Sequence, residues 1–330
     1  MTVLVTGASG HVGGNLVRAL LARGLRVRVL LRQDARAVEG LDVERFQGDV
    51  LDPSALPDAF RGAEVVYHLA ARISITGDPA GEVRAVNVDG VRNVVEACLS
   101  AGVRRLVHMS SIHAFVQTPV DEPLDETRPP AEGDGFLAYD RSKSAGQREV
   151  LAAVERGLDA VVVNPTAVLG PYDFKPSAMG QVLLDLQHRR LPALVGGGFD
   201  WVDVRDVCEA TIAAASVGRR GECYLLSGEW RTVREVAETA ERITGVRAPR
   251  WTAPVWLARA SAPAAELLAR ATGRRALFTR ESLRVLREAN RRVSHAKASR
   301  EIDYRPRRLA ETVEDAYRWF RDAGMLRPTS

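Results

Sequence analysis

Tyr139 and Lys143 are four residues apart in Tyr139-Asp140-Arg141-Ser142-Lys143, which opens a segment of helical periodicity, so a phenol and an ammonium share one helix face. The lysine is informative because the chain carries 43 arginines and only three lysines, at 143, 175 and 297. A compact ammonium can stabilise a phenolate and reach sugar hydroxyls where a planar guanidinium fork fits less well. A tyrosine titrates near pH 10, and bringing it to neutrality takes about 4 kcal/mol of preferential stabilisation of the phenolate. Ser110-Ser111 follow the apolar run Arg105-Leu106-Val107-His108-Met109 and place hydroxyls where they can donate to a carbonyl oxygen or cap a turn.

Such groups need elements to position them. Residues 2–6, 26–31, 43–47, 64–69, 105–109 and 159–164 read as short apolar strands alternating with helical segments, the pattern of an α/β, doubly wound parallel sheet. The first strand turns through Gly7-Ala8-Ser9-Gly10-His11-Val12-Gly13 into a helix. Gly7 allows the tight turn, Gly10 a close backbone approach to a ligand, and Gly13 close helix packing, so the loop and the helix N-terminus suit a pyrophosphate. Residues Ser9, His11 and Val12 belong to the same loop. The strand ending at Leu69-Ala70-Ala71 leaves room for a ligand at the sheet's carboxyl edge, beside Met109 at the end of its neighbour. Residues 1–168 are therefore expected to form the nucleotide-binding Rossmann domain. Residues 169–330 are expected to form mainly a smaller C-terminal substrate lobe, with about 200–217 returning to the first domain. Residues 249–290 read as helices interrupted by Pro254, Pro263 and Gly273, and 308–323 as a closing amphipathic helix.

The net charge of +4 is spread along the chain without a compact basic-aromatic segment, which speaks against a nucleic-acid partner. Cys98, Cys208 and Cys223 lie in apolar elements without metal-ligand spacing, so neither a disulfide framework nor a metal site is expected. No apolar run reaches membrane-span length and the functional strand starts at residue 2, so a cytoplasmic protein without a signal peptide is expected.

The run of Thr6-Gly7-x-x-Gly10-x-x-Gly13, Gly48-Asp49-Val50-x-Asp52, His68-Leu69-Ala70-Ala71, Asn87-Val88-x-Gly90, Ser110-Ser111, Tyr139-x-x-x-Lys143, Asn164-Pro165 and Val202-Asp203-Val204-x-Asp206-Val207 spans most of the chain. With these motifs the sequence resembles the extended short-chain dehydrogenase/reductase family, also called the NAD-dependent epimerase/dehydratase family. Gly170-Pro171-Tyr172-Asp173-Phe174-Lys175-Pro176 and the region Glu266–Gly273 look like its dihydroflavonol reductase-like branch. The resemblance implies Tyr139 as general acid/base, Lys143 as its activator and ribose anchor, Ser111 as the carbonyl partner and Asn87 as a structural support. It also implies that Asp49 and Val50 meet an adenine ring, that Pro165 and Val168 complete the cofactor site, and that a homodimer forms through helices near 88–101 and 139–156.

The second strand ends at Arg32 without a carboxylate, and Arg32 with Arg36 could bind a 2′-phosphate, so NADP(H) is expected over the alternative NAD(H). Lys143 and a positively charged nicotinamide would then lower the Tyr139 pKa. Ile112-His113 replaces the Asp-Glu that family dehydratases carry after the active-site hydroxyl, which disfavours dehydration. The favoured reading is reversible reduction of a ketone or aldehyde, the alternative a sugar or sugar-nucleotide epimerase, and the third a non-catalytic NADP-binding sensor. Substrate contacts are expected from His113, Phe115, Tyr172, Lys175, Met179 and Trp201, mostly apolar or aromatic, so the substrate is expected to have a hydrophobic body. Trp251, Val255, Trp256, Leu257, Leu267 and Leu268 could form a hydrophobic lid.

Overall fold

The structure is a computed structural model that describes residues 1–74, 77–254, 256–258, 260 and 279–326. The expected lid residues Val255, Leu267 and Leu268, and the branch-like segment 266–273, lie outside the described residues.

Unbroken apolar runs such as Val3-Leu4-Val5 and Val161-Val162-Val163 suit strands covered on both faces. They form a seven-stranded sheet whose paired neighbours are all parallel. Its strands are β1 (Thr2–Thr6), β2 (Arg26–Leu31), β3 (Glu44–Gln47), β4 (Val65–His68), β5 (Arg105–Met109), β6 (Ala160–Pro165) and β10 (Cys223–Leu226), in the order β10-β6-β5-β4-β1-β2-β3. The chain winds outward from β1 to β3, then restarts on the other side at β4. The resulting switch point lies between the carboxyl ends of β1 and β4, the position at which such sheets take ligands.

Helix α1 (His11–Leu21) follows β1, and the short turns α2 (Pro57–Phe60) and α3 (Glu82–Arg84) precede a π-helical turn at Ala85–Asp89. That turn continues into α4 (Gly90–Ser100), and α5 (Ala138–Glu155) packs beside it. One core joins α1 to the sheet through Val3, Val5, Leu16 and Leu20; the core on the opposite face holds Leu4, Val66, Leu106, Val94 and Val150.

Beyond β6, strands β7 (Ala167–Leu169), β9 (Gly198–Asp203) and β11 (Glu229–Thr232) make a three-stranded sheet, and β8 (Leu194–Val195) pairs with β12 (Thr252–Ala253). Helices α6 (Ala178–Gln187) and α8 (Val233–Thr244), with the C-terminal helix Leu309–Asp322, bury Leu183, Trp201, Val236, Val313 and Phe320 in a third core. A capping box between Thr232 and Glu235 starts α8. The chain crosses back to the first sheet after β9: α7 (Val204–Val217) packs on α1, and β10 pairs with β6.

Candidate active site

The glycine loop is shaped by backbone crowding. Gly7 has φ +73°, and a Cβ there would stand 2.6 Å from the Ala70 nitrogen. A Cβ on Gly13 would stand 2.2 Å from the Gly7 carbonyl oxygen. The chain thus makes a bare cradle at the start of α1, where Gly10 caps the helix without a side chain and the first turn holds no acidic residue. A pyrophosphate fits such a cradle through free N–H groups and the positive helix end. Ser9 lines the same turn, half-buried. The His11 ring nitrogen Nε2 lies 3.0 Å from the Pro171 carbonyl, and Val12 packs on the first core.

Across the switch point, Leu69 N donates to the Thr6 carbonyl at 3.1 Å and Ala70 N to the Thr6 hydroxyl at 3.3 Å. Asn87, 2% exposed, secures the far end: its Oδ1 accepts from Arg72 N at 2.8 Å, and its Nδ2 donates to the Arg72 carbonyl and the Ser142 hydroxyl, both at 2.9 Å. Ala71 is therefore held from both sides. Asn87 also ties this segment to α5, where a Cβ on Gly146 would lie 2.1 Å from the Asn87 carbonyl oxygen.

Ser111 follows β5, Tyr139 and Lys143 open α5, and the fold brings all three together. The Ser111 carbonyl accepts from Asn164 Nδ2 at 2.9 Å, and that nitrogen also donates to Gln147 Oε1 at 2.8 Å. The Ser111 hydroxyl oxygen accepts from His113 N at 3.2 Å and is the hydrogen-bonding neighbour of the Tyr139 phenol. Burial pushes Tyr139 up to about 12; hydrogen bonding to Ser111 opposes the rise and the charge of Asp140 adds to it. Burial also brings Lys143 down to about 8, and its Nζ donates to the Met109 carbonyl at 3.0 Å. In the protein without a bound nicotinamide, desolvation dominates at Tyr139 and the Lys143 ammonium is engaged by the Met109 carbonyl.

Behind Lys143 lies a pair that sequence reading missed. His68 and His108 face each other in register on β4 and β5 with ring centroids 5.3 Å apart, and His68 Nδ1 lies 2.7 Å from the Thr6 hydroxyl. Burial, then the Lys143 charge, lowers both, His68 to about 3, so both rings are neutral beside the ammonium. His113 Nδ1 lies 2.8 Å from Asp140 Oδ1, and its ring meets Tyr139 edge-on at 5.4 Å, so that residue does stand at the site. Spacing alone hides the Asp140 partnership, which is made across two elements.

At the end of β2, Arg32 is two-thirds exposed and its Nη1 lies 3.5 Å from Asp49 Oδ2, while Arg36 is bound to Asp34 through Nε at 3.0 Å and Nη2 at 2.7 Å. Val50 is buried in the second core, its carbonyl accepting from Asn93 Nδ2 at 2.9 Å, while Asp49 beside it is half-buried. Pro165 ends β6 in register with Leu226, and Val168 lies half-buried on β7.

Several expected substrate contacts prove to be packing. Phe115 is 5% exposed, in a small core with Ile112, Leu124 and Leu225. Trp201 is 3% exposed, its Nε1 donating to the Arg231 carbonyl at 2.9 Å and its ring against Phe199. Apolar burial claimed both rings, and the one polar atom of Trp201 is satisfied within the small sheet. Met179 packs on the third core from α6. Tyr172, still 39% exposed, meets Phe174, Trp319 and the Arg18 guanidinium of α1. Lys175 is exposed on the same loop, and its charge acts on Asp34. Trp251 and Trp256, from the expected lid, are exposed at 58% and 70%.

The model of the NAD dependent epimerase/dehydratase family matches residues 3–226. The chain is 40% identical over 331 residues to sterol demethylase protein B of Methylococcus capsulatus, covering 99% of this chain and 100% of that one. It is 31% identical, over 98% of both chains, to the 4-hydroxy-2-methyl-3-oxo-4-farnesyl-3,4-dihydroquinoline-1-oxide ketoreductase of Stigmatella aurantiaca. Among solved structures, the crystal structure of gox2253 matches with a TM-score of 0.84 at 34% identity, over 99% of each chain. With the bare phosphate cradle, the switch-point cleft and this full-length kinship, the chain belongs to the NAD-dependent epimerase/dehydratase family and is an NAD(P)-dependent oxidoreductase of the extended short-chain type.

Proposed function

We propose that the protein is an NADP(H)-dependent carbonyl reductase, reversible as a secondary-alcohol dehydrogenase, that acts on a substrate with a hydrophobic body through Ser111, Tyr139 and Lys143. The observation that carries the reading is the Tyr139 phenol beside the Ser111 hydroxyl at the carboxyl edge of β5, with Lys143 one turn behind. Burial keeps the phenol protonated across the physiological range, the form needed to deliver a proton. The Ser111 oxygen already accepts from the His113 amide, so its own hydrogen is available to a carbonyl oxygen.

In the reductive direction the substrate carbonyl accepts from Ser111, which orients it and polarises the carbon. With a dinucleotide's pyrophosphate on the cradle, its nicotinamide would supply hydride chemistry at that carbon. Negative charge grows on the carbonyl oxygen, Tyr139 transfers its proton there, and the charge left on the phenolate is stabilised by the Lys143 ammonium. Asn87, through Arg72 and Ser142, keeps the segment after β4 and the start of α5 in register during this step.

Preference for NADP(H) is supported by the exposed Arg32 at the end of β2, where a ribose-binding carboxylate would otherwise repel a 2′-phosphate. The hydrophobic body is supported by two relatives, whose names specify a sterol and a 3-oxo compound with a farnesyl chain. The test is incubation with NADPH and a panel of polycyclic ketones, alkyl ketones, aldehydes and nucleotide sugars, following nicotinamide absorbance together with products. NADPH consumed in step with alcohol formation is expected. A converted sugar without loss of NADPH overturns the reading in favour of an epimerase.

A further inference from the structure

The loop Pro171–Lys175 is fastened to α1 and, through Arg18, to the turn that follows β2. The Pro171 carbonyl meets His11 Nε2 and accepts from Asn15 Nδ2, each at 3.0 Å, one helical turn apart on α1. Tyr172 and Phe174 flank the Arg18 guanidinium at 4.7 and 5.1 Å. The same guanidinium donates to the Gly14 carbonyl at 2.9 Å and to the Ala37 carbonyl at 2.6 Å. Ala37 belongs to the helical turn Arg36–Val38, and α1 lies so close to it that a Cβ on Gly14 would stand 2.9 Å from the Ala37 Cβ. One arginine thus clamps the loop, α1 and the turn after β2 into a single unit.

Lys175 is carried at the end of this clamp. It is exposed, and its charge reaches Asp34: hydrogen bonding from Arg36, with a smaller contribution from Lys175, holds that carboxyl at about 2. The charged groups around the end of β2 include Arg32, Arg36 and Lys175 alongside Asp34 and Asp49. Asp34 engages both ends of the Arg36 fork, so Arg36 is already committed to a carboxylate. Lys175 is a flexible point charge with three donors, able to turn to a phosphate on the same side.

We propose that Lys175 is a specificity residue for the cofactor, reaching across from the clamped loop to the 2′-phosphate of NADP(H) beyond the end of β2. The assignment rests on the NADP(H) reading above and explains why one of the chain's three lysines stands in this loop. It also makes Arg18 a positioning residue, since the clamp sets how far Lys175 reaches.

The test uses 2′,5′-ADP and AMP, which differ only in the 2′-phosphate, as probes titrated calorimetrically into the full chain, so that no substrate is needed. Wild type is expected to bind 2′,5′-ADP about tenfold or more tightly than AMP. Lys175→Gln is expected to weaken 2′,5′-ADP about three- to tenfold and leave AMP unchanged, with the AMP affinity reporting an intact cradle in the same sample. Lys175→Arg retains most of the preference, and Asp34→Asn, which removes the competing carboxylate, tightens 2′,5′-ADP. Equal wild-type affinities for the two probes overturn the NADP(H) reading and the assignment with it. A wild-type preference that Lys175→Gln leaves intact, or a loss shared equally by both probes, overturns the Lys175 assignment alone.

Discussion

Tyr139 and Lys143 face opposite demands, and burial supplies both. The phenol is raised to about 12 and stays a proton donor, while the ammonium is lowered to about 8, close enough to neutrality to be lost in mild alkali. As pH rises through about 8, Lys143 gives up its proton and the charge that would stabilise a phenolate disappears. The reductive rate is therefore expected to hold below that pH and fall above it. A Lys143→Arg variant, slower but permanently charged, should lack this inflection in a pH–rate profile. Tyr139→Phe removes the proton donor and keeps the ring; turnover should fall at least about a hundredfold while NADP(H) affinity, measured by nicotinamide fluorescence, is unchanged. Wild-type turnover in that variant would take Tyr139 out of the mechanism.

At the scale of elements, the site depends on how closely two helices approach their strands. Gly13 lets α1 run against the β1 loop, and its missing side chain is what leaves the Gly7 carbonyl uncrowded. Gly13→Ala sets a methyl 2.2 Å from that oxygen, which only a backbone shift can relieve. It is expected to cost about 1–3 kcal/mol in stability and to abolish measurable cofactor binding. Gly135→Ala, with open space around it, should do neither, and thermal melts with and without NADP(H) compare the two. The π-helical turn at Ala85–Asp89 serves the second approach, for it brings the Asn87 amide to Arg72 and Ser142 ahead of α4.

The whole molecule is held as one body where the chain returns to its first sheet. Arg307, just ahead of the C-terminal helix, donates from its backbone and side chain to Asp206 on α7 at 2.7 to 2.9 Å, and Arg205 joins Asp203 to Asp315 on that helix. Asp206 is 6% exposed, so removing its partner leaves a buried carboxylate short of hydrogen bonds. Arg307→Met is expected to lower the unfolding free energy by about 2–4 kcal/mol, less than a fully enclosed pair because the guanidinium is a quarter exposed. Adding Asp206→Asn should recover part of the loss, as urea denaturation of the single and double variants will measure.

The strands of the main sheet up to residue 165, the glycine turn, and the Tyr139–Lys143 face were legible in the sequence because each is local: an apolar run, a strand-to-helix turn, a four-residue helical spacing. Strand β10 was not, since Cys223–Leu226 is a short run in a region of weakened alternation and joins the sheet by pairing with β6, sixty residues back. Aromatic residues near the edge were legible as apolar but not as exposed or buried, and so Phe115 and Trp201 went to cores. Lys175 stood out by its rarity alone; that its charge acts on Asp34 depends on Arg18 fastening its loop to α1 and the turn after β2. The sequence by itself determined the periodicities, the turn chemistry and the reactive residue types, all functions of near neighbours along the chain. Only the tertiary structure decided which charges meet, which rings are enclosed and how far burial moves a proton, because desolvation and ion pairing depend on what distant segments bring to the same place.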